Sequence, residues 1–146
     1  MAKKRDNMEV SLTDTVFRLF LACLFGAGLG WEREKKGRSA GLRTHMLVCM
    51  GAALIMLISF HIQATMREVK AVDTIRIAAG VVTGIGFLGA GTIIKTPENA
   101  KGLTTAASIW ISSAIGLAIG SGYLAGAGIA MVFSVSVLYL LKKVEG

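Results

Sequence analysis

Thr44-His45-Met46-Leu47-Val48-Cys49-Met50-Gly51-Ala52-Ala53-Leu54-Ile55-Met56-Leu57-Ile58-Ser59-Phe60-His61-Ile62-Gln63-Ala64 contains no Asp, Glu, Lys or Arg. A helix rises about 1.5 Å per residue, so a run of this length crosses the ~30 Å hydrocarbon core of a bilayer. Backbone N–H and C=O groups inside lipid must be paired within the segment, which makes a helix the economical reading. Working outward, four further apolar runs appear at 16–31, 77–94, 103–120 and 123–141, the first and third at the short end of the spanning range. The expectation is an all-α polytopic membrane protein with about five transmembrane helices. Residues 1–146 form a single domain on this reading, with no soluble C-terminal domain after the fifth span.

Composition agrees. The chain is 53% hydrophobic and only 17% charged, whereas a soluble domain usually carries about a quarter of its residues as charges. Mean hydropathy is +0.63. The net charge of +7 sits in short segments between apolar runs, where it marks topology and meets anionic headgroups. No basic face survives outside those loops, so nucleic acid is not an expected partner. Cys23 and Cys49 fall inside apolar runs and read as small buried hydrophobes. Phe20-Leu21-Ala22-Cys23 loosely resembles a lipoprotein box, but Arg18 interrupts the apolar stretch before it.

Five spans place the termini on opposite sides. Nine of the 16 basic residues fall on one side, five of them (Arg33, Lys35, Lys36, Arg38, Arg43) in the loop after the first span, with Lys95, Lys101, Lys142 and Lys143 beside them. Lys3, Lys4, Arg5, Arg18, Arg67, Lys70 and Arg76 fall on the other. The positive-inside rule puts the five-charge loop and the C-terminus in the cytoplasm and the N-terminus outside. Trp31, Tyr123 and Tyr139 fall near the interfaces, as aromatic belts do.

The order of features repeats. Asp14, Arg18, Gly26-Ala27-Gly28-Leu29-Gly30, a polar loop and Gly41-Leu42-Arg43-Thr44 are followed by Asp73, Arg76, Gly86-Phe87-Leu88-Gly89-Ala90-Gly91, a polar loop and Gly102-Leu103-Thr104-Thr105. Two spans per unit make this a parallel two-helix repeat, an arrangement recurrent in transport folds.

Five groups of residues are weighed for function. Gly84-Ile85-Gly86-Phe87-Leu88-Gly89 matches the dinucleotide fingerprint in letters, but lies within an apolar span without a strand before it or an acid beyond. Gly84, Gly86, Gly89 and Gly91 read instead as a close-packing face or a broken helix lining a pathway; Gly26 with Gly30 and Gly116 with Gly120 favour packing. Glu32, Arg33 and Glu34, with Arg38 and Arg43, form a charged cytoplasmic mouth: a solvated, paired cluster on the bland view, or a carboxylate site for a divalent cation through Glu32 and Glu34, or a lock onto Arg43. Thr104, Thr105, Ser108 and Ser112 give the fourth span a polar face, with Thr104 or Thr105 as helix cap. Ser108 and Ser112 bond across helices or line a water path. His45 and His61, near opposite ends of the second span, read as interfacial polar residues. Arg18 and Arg76 snorkel or pair with Asp14 and Asp73. No span carries an acid at its middle, where an ion-stripping transporter would need one. No serine or cysteine has the partners of an activated nucleophile, so an enzyme is not expected.

Trp31-Glu32-Arg33-Glu34, Gly37-Arg38-Ser39-Ala40-Gly41-Leu42-Arg43-Thr44-His45-Met46-Leu47-Val48, Gly84-Ile85-Gly86-Phe87-Leu88-Gly89-Ala90-Gly91 and Gly102-Leu103-Thr104-Thr105-Ala106-Ala107 resemble the transmembrane domain of the MgtC/SapB family. The likeness runs from about Arg18 into the fourth span. It implies a bacterial cytoplasmic-membrane protein with five transmembrane helices, tied to magnesium limitation and, in some members, to survival inside host cells. Some members carry a soluble C-terminal domain. The resemblance directs interest to Glu32, Arg43, Gly86, Gly89 and Thr104. The implied ion is Mg2+. The expected role is magnesium homeostasis, through an ion pathway or by modulating another membrane protein; the alternative is an interaction or assembly protein with no pathway of its own. Self-association into a homo-oligomer is expected from the small-residue faces.

Overall fold

The structure, a computed structural model, describes residues 10–65 and 73–145, the last five by backbone alone. Lys3, Lys4, Arg5, Arg67 and Lys70 lie outside the described residues. Five helices follow one another: α1 (Leu12–Lys35), α2 (Leu42–Thr65), α3 (Thr74–Ala90), α4 (Leu103–Ser121) and α5 (Leu124–Glu145), with a short hairpin, β1 (Ile94–Lys95) and β2 (Ala100–Lys101), between α3 and α4. Helices α1, α2 and α4 are long and apolar enough to cross a membrane. Helix α3 and the described apolar part of α5, Leu124–Leu140, are shorter apolar helices.

Local chemistry sets most of the boundaries. The Ser11 hydroxyl accepts from the Asp14 N–H at 3.1 Å and caps α1. Its C-terminal end outruns the apolar stretch as far as Lys35, because Glu32 and Lys36, one turn apart, form an ion pair. The chain then reverses at Gly37, whose φ of 61° suits a residue without Cβ. Asp73 caps α3 by accepting from the N–H groups of Ile75 and Arg76. The two Gly-Leu-x-Thr motifs open α2 and α4 in the same register, each helix starting at the Leu.

The third apolar run, expected to stay helical to Ile94, ends four residues earlier. Past Gly89 and Gly91 the amides of Thr92 and Ile93 turn back onto Gly89 O and Ala90 O. Ile94 and Lys95 then pair antiparallel with Lys101 and Ala100, across a turn closed by the Thr96 N–H donating to Asn99 O at 2.8 Å. Pro97 within it has no N–H to continue a helix. The cap expected from Thr104 or Thr105 is also corrected: the N-cap is Gly102, at φ 93°, and no side chain caps the helix start.

Helices α1, α2 and α4 form the centre, with α3 against α2 and α4, and α5 against α4 and α1. Ala22, Leu29, Cys49, Ala53, Ile115, Ile119 and Ala127 make the buried cluster. Small residues permit the close approach. A Cβ built on Gly26 would lie 2.5 Å from His45 O, and one on Gly30 would lie 2.6 Å from Leu42 Cα. On α4, one on Gly116 would strike Cys49 O, and one on Gly120 would lie 2.5 Å from Ala53 O. In lipid this replaces the hydrophobic effect as the cohesive term, since lipid tails are as apolar as the side chains. The outward faces are apolar, with Ile75, Phe87 and Phe133 all exposed, as a bilayer solvent requires.

A buried polar network and a basic pocket

The end of the bundle where α1 stops and α4 starts gathers most of the sequence candidates. Arg33, one turn from the end of α1, is only 4% exposed, and its Nη2 donates to Thr105 Oγ1 at 2.8 Å. Thr105 lies in the first turn of α4 and is itself buried. Its carbonyl is 2.8 Å from Ser108 Oγ, and Ser108 Oγ is 3.1 Å from His45 Nε2. The ring closes the chain through Nδ1, 2.8 Å from Gly41 O. A carbonyl only accepts, so Nδ1 carries a proton. The single Ser108 proton then has two acceptors to choose between. The bond to Thr105 O has Ser108 as its donor, and a doubly protonated ring would let Nε2–H donate to Ser108 at the same time.

His45, expected as a polar residue at one end of the second span, lies in the first turn of α2 and is fully buried in the bundle, because α1 crosses α2 at Gly26 directly over it. Its spacing of four from Gly41 is the one signal in the sequence for the ring-to-carbonyl bond. His61, by contrast, is exposed near the far end of α2.

Glu32 and Glu34 separate. Two residues apart on a helix they point to different faces. The Glu32 carboxylate turns inward, 9% exposed, and takes Lys36 as ion-pair partner. The Glu34 carboxylate stays outside and accepts from the Leu42 N–H at 2.7 Å, so the end of α1 caps the start of α2. That bond, not a lock onto Arg43, is what Glu34 makes; Arg43 is exposed on α2. Among the described residues no three His, Cys, Asp or Glu side chains gather as metal ligands.

The polar face of α4 points inward. Thr105, Ser108, Ser112 and Ser113 are all at most 4% exposed, and Thr104 alone of the expected set is exposed. The Ser112 hydroxyl donates to Ser108 O at 3.0 Å and Ser113 to Trp110 O at 2.7 Å. These hydroxyls are satisfied by their own helix.

The glycines of α3 divide. Gly89 packs on Ala106 of α4, while a Cβ on Gly84 or Gly86 would meet nothing within 4 Å, and Gly91 meets only its own turn. Gly80 and Gly84 line an apolar groove of about 450 Å³ between α2 and α3, with Gly51, Leu47 and Ile55 opposite. At the other end of the bundle, Arg18 pairs with Asp14 at 2.6 Å and donates to Gly120 O at 2.9 Å, a cation on the carbonyl end of α4.

A pocket of about 430 Å³ opens beside the network. Its walls include Arg33, Lys36 and Arg38, the α4 start from Gly102 to Thr105, and Val137 and Leu138 of α5. Lys36 is engaged, with Nζ donating to Leu138 O at 3.0 Å as well as pairing with Glu32.

Apolar helices closed around a buried polar network define a polytopic helical membrane protein. Within that class, residues 19–146 match the MgtC family, and the chain belongs to it. It is 50% identical over 109 residues to the "Putative magnesium transporter YhiD" of Escherichia coli (strain K12), covering 73% of this chain and 51% of that one. It is 41% identical over 131 residues to the protein MgtC of Brucella abortus (strain 2308), covering 90% of this chain and 52% of that one. To the protein SrpB of Synechococcus elongatus it is 42% identical over 114 residues, 63% of that chain. The chain thus spans about half the length of the first two relatives. No solved structure matches.

Proposed function

We propose that this chain is the membrane portion of a bacterial cytoplasmic-membrane protein that serves magnesium homeostasis by acting on another membrane protein, without carrying Mg2+ itself. The magnesium link rests on family membership and on the name of the relative from Escherichia coli. One observation carries the choice of mechanism: the hydroxyl face of α4, the best candidate for a pore wall, is sealed between helices and bonded to its own carbonyls. A hydrated cation needs an open polar route or carboxylates along it, and this face is closed between helices and carries no carboxylate. The open groove between α2 and α3, floored by Gly51, Gly80 and Gly84, has the small-residue character that admits a neighbouring helix. That helix comes from a partner or from a second copy in a homo-oligomer.

The test pairs two measurements. Purified protein in sealed liposomes should give no magnesium flux above protein-free vesicles. A strain lacking its own copy should regain growth in low magnesium from the unaltered gene but not from Gly84→Leu, which fills the groove without touching the chain's own core. Saturable flux, abolished by Ser108→Ala with Ser112→Ala, would overturn the proposal in favour of an ion pathway.

A further inference from the structure

The basic pocket is unbalanced in charge. Arg33 is nine-tenths buried or better, its Nε has no hydrogen-bond partner, and its one polar contact is the neutral Thr105 hydroxyl. Ion pairs join Arg18 to Asp14 and Lys36 to Glu32, and among the described residues no carboxylate pairs with Arg33 or Arg38. The two guanidinium groups line one pocket and act on each other as like charges. A buried cation without a counter-ion is costly, and the exposed Arg38 beside Arg33 adds a like charge rather than a counter-ion.

The same pocket receives the start of α4. Gly102 leaves the first N–H groups of that 19-residue helix without a side-chain cap, and these groups carry the positive end of the helix dipole. Two guanidinium groups and a helix start converging on one cavity form the chemistry of an oxyanion site, phosphate above all.

An apolar cavity adjoins the pocket. Thr104, Val137 and Leu138 belong equally to a second cavity of about 400 Å³ between α4 and α5, whose remaining wall includes Trp110, Ile111 and Phe133. A basic head chamber joined to an apolar trough matches an amphiphile with an anionic head, as do basic pockets between membrane helices generally. From this juxtaposition we infer that the chain binds an anionic glycerophospholipid, its phosphate held by Arg33, Arg38 and the start of α4 and one acyl chain lying between α4 and α5. This inference is independent of the magnesium proposal.

The trough contains its own reporter. In a Trp31→Phe background Trp110 is the remaining tryptophan, and the full chain is reconstituted in phosphatidylcholine bilayers with phosphatidylglycerol, either lipid brominated on its acyl chains in turn. Brominated phosphatidylglycerol should quench Trp110 at lower mole fraction than brominated phosphatidylcholine, and Arg38→Gln should weaken that preference about five-fold, the change expected from one basic residue. Arg38 is exposed, so this variant folds even where Arg33→Gln does not. Arg43→Gln, a charge of the same region outside the pocket, should leave the preference intact. Equal quenching by the two lipids would overturn the inference. An equal loss in Arg43→Gln would overturn it in favour of diffuse surface attraction. Abolition of the preference by millimolar inorganic phosphate would overturn the lipid assignment in favour of a free-anion site.

Discussion

His45 and Ser108 come from helices whose starts lie far apart in the chain, yet their side chains meet inside the bundle at 3.1 Å. Removing one partner of a buried pair leaves the other unsatisfied. Ser108→Ala should therefore lower stability by about 1 kcal/mol, read as a fall in Tm of the detergent-solubilised protein. Ser113→Ala is the control. Its hydroxyl bonds only to Trp110 O on its own helix, and the loss should be within about 0.5 kcal/mol. Equal effects would contradict the network. Arg33 was legible in the sequence as part of a charged mouth. Its inward turn was not, because an Arg at the end of a span can equally snorkel outward, and only the position of Thr105 decides between them.

At the scale of elements, contact surfaces separate glycines that look alike in the sequence. Gly116 and Gly84 both sit in apolar helices with glycine neighbours. A methyl group on Gly116 would strike the Cys49 carbonyl, whereas on Gly84 it would meet nothing within 4 Å. Gly116→Ala should thus cost about 1–3 kcal/mol through forced separation of α2 and α4. Gly84→Ala should be neutral or stabilise by up to about 1 kcal/mol through helix propensity. Thermal unfolding of the two variants side by side checks both. A large loss in Gly84→Ala would mean that another helix already occupies the groove. The end of α3 shows the complementary limit of pattern reading. Thr92, Ile93 and Ile94 are apolar enough to extend a span, and hydropathy cannot register that Ile94 pairs with Lys101.

For the whole molecule the question is where water can go. The centre of α1, α2 and α4 buries Ser112 completely, so a thiol placed there should be shielded. In a chain carrying Cys23→Ser and Cys49→Ala, a Ser112→Cys variant should resist a membrane-impermeant maleimide in open membranes. A Ser39→Cys variant, on the exposed turn between α1 and α2, should label readily. Rapid labelling at position 112 would reveal a water path and sink the sealed-bundle reading.

The sequence by itself determined that this chain is helical, how many apolar helices it has and which family it belongs to. Those properties follow from local quantities: unbroken apolar length, the positions of charges between the runs, and motifs that are contiguous in the chain. It also located Glu32, Arg33, Thr105 and Ser108 as residues of interest. Tertiary structure alone decided what each of them faces. Glu32 and Glu34 parted because a helix turns about 100° per residue, so neighbours two apart point different ways. Arg33 and Arg38 came to share a pocket with the start of α4 because α1 and α4 pack side by side. Facing directions depend on how helices rotate and cross, and that is settled by steric fit between distant segments, a property that no single stretch of the chain contains.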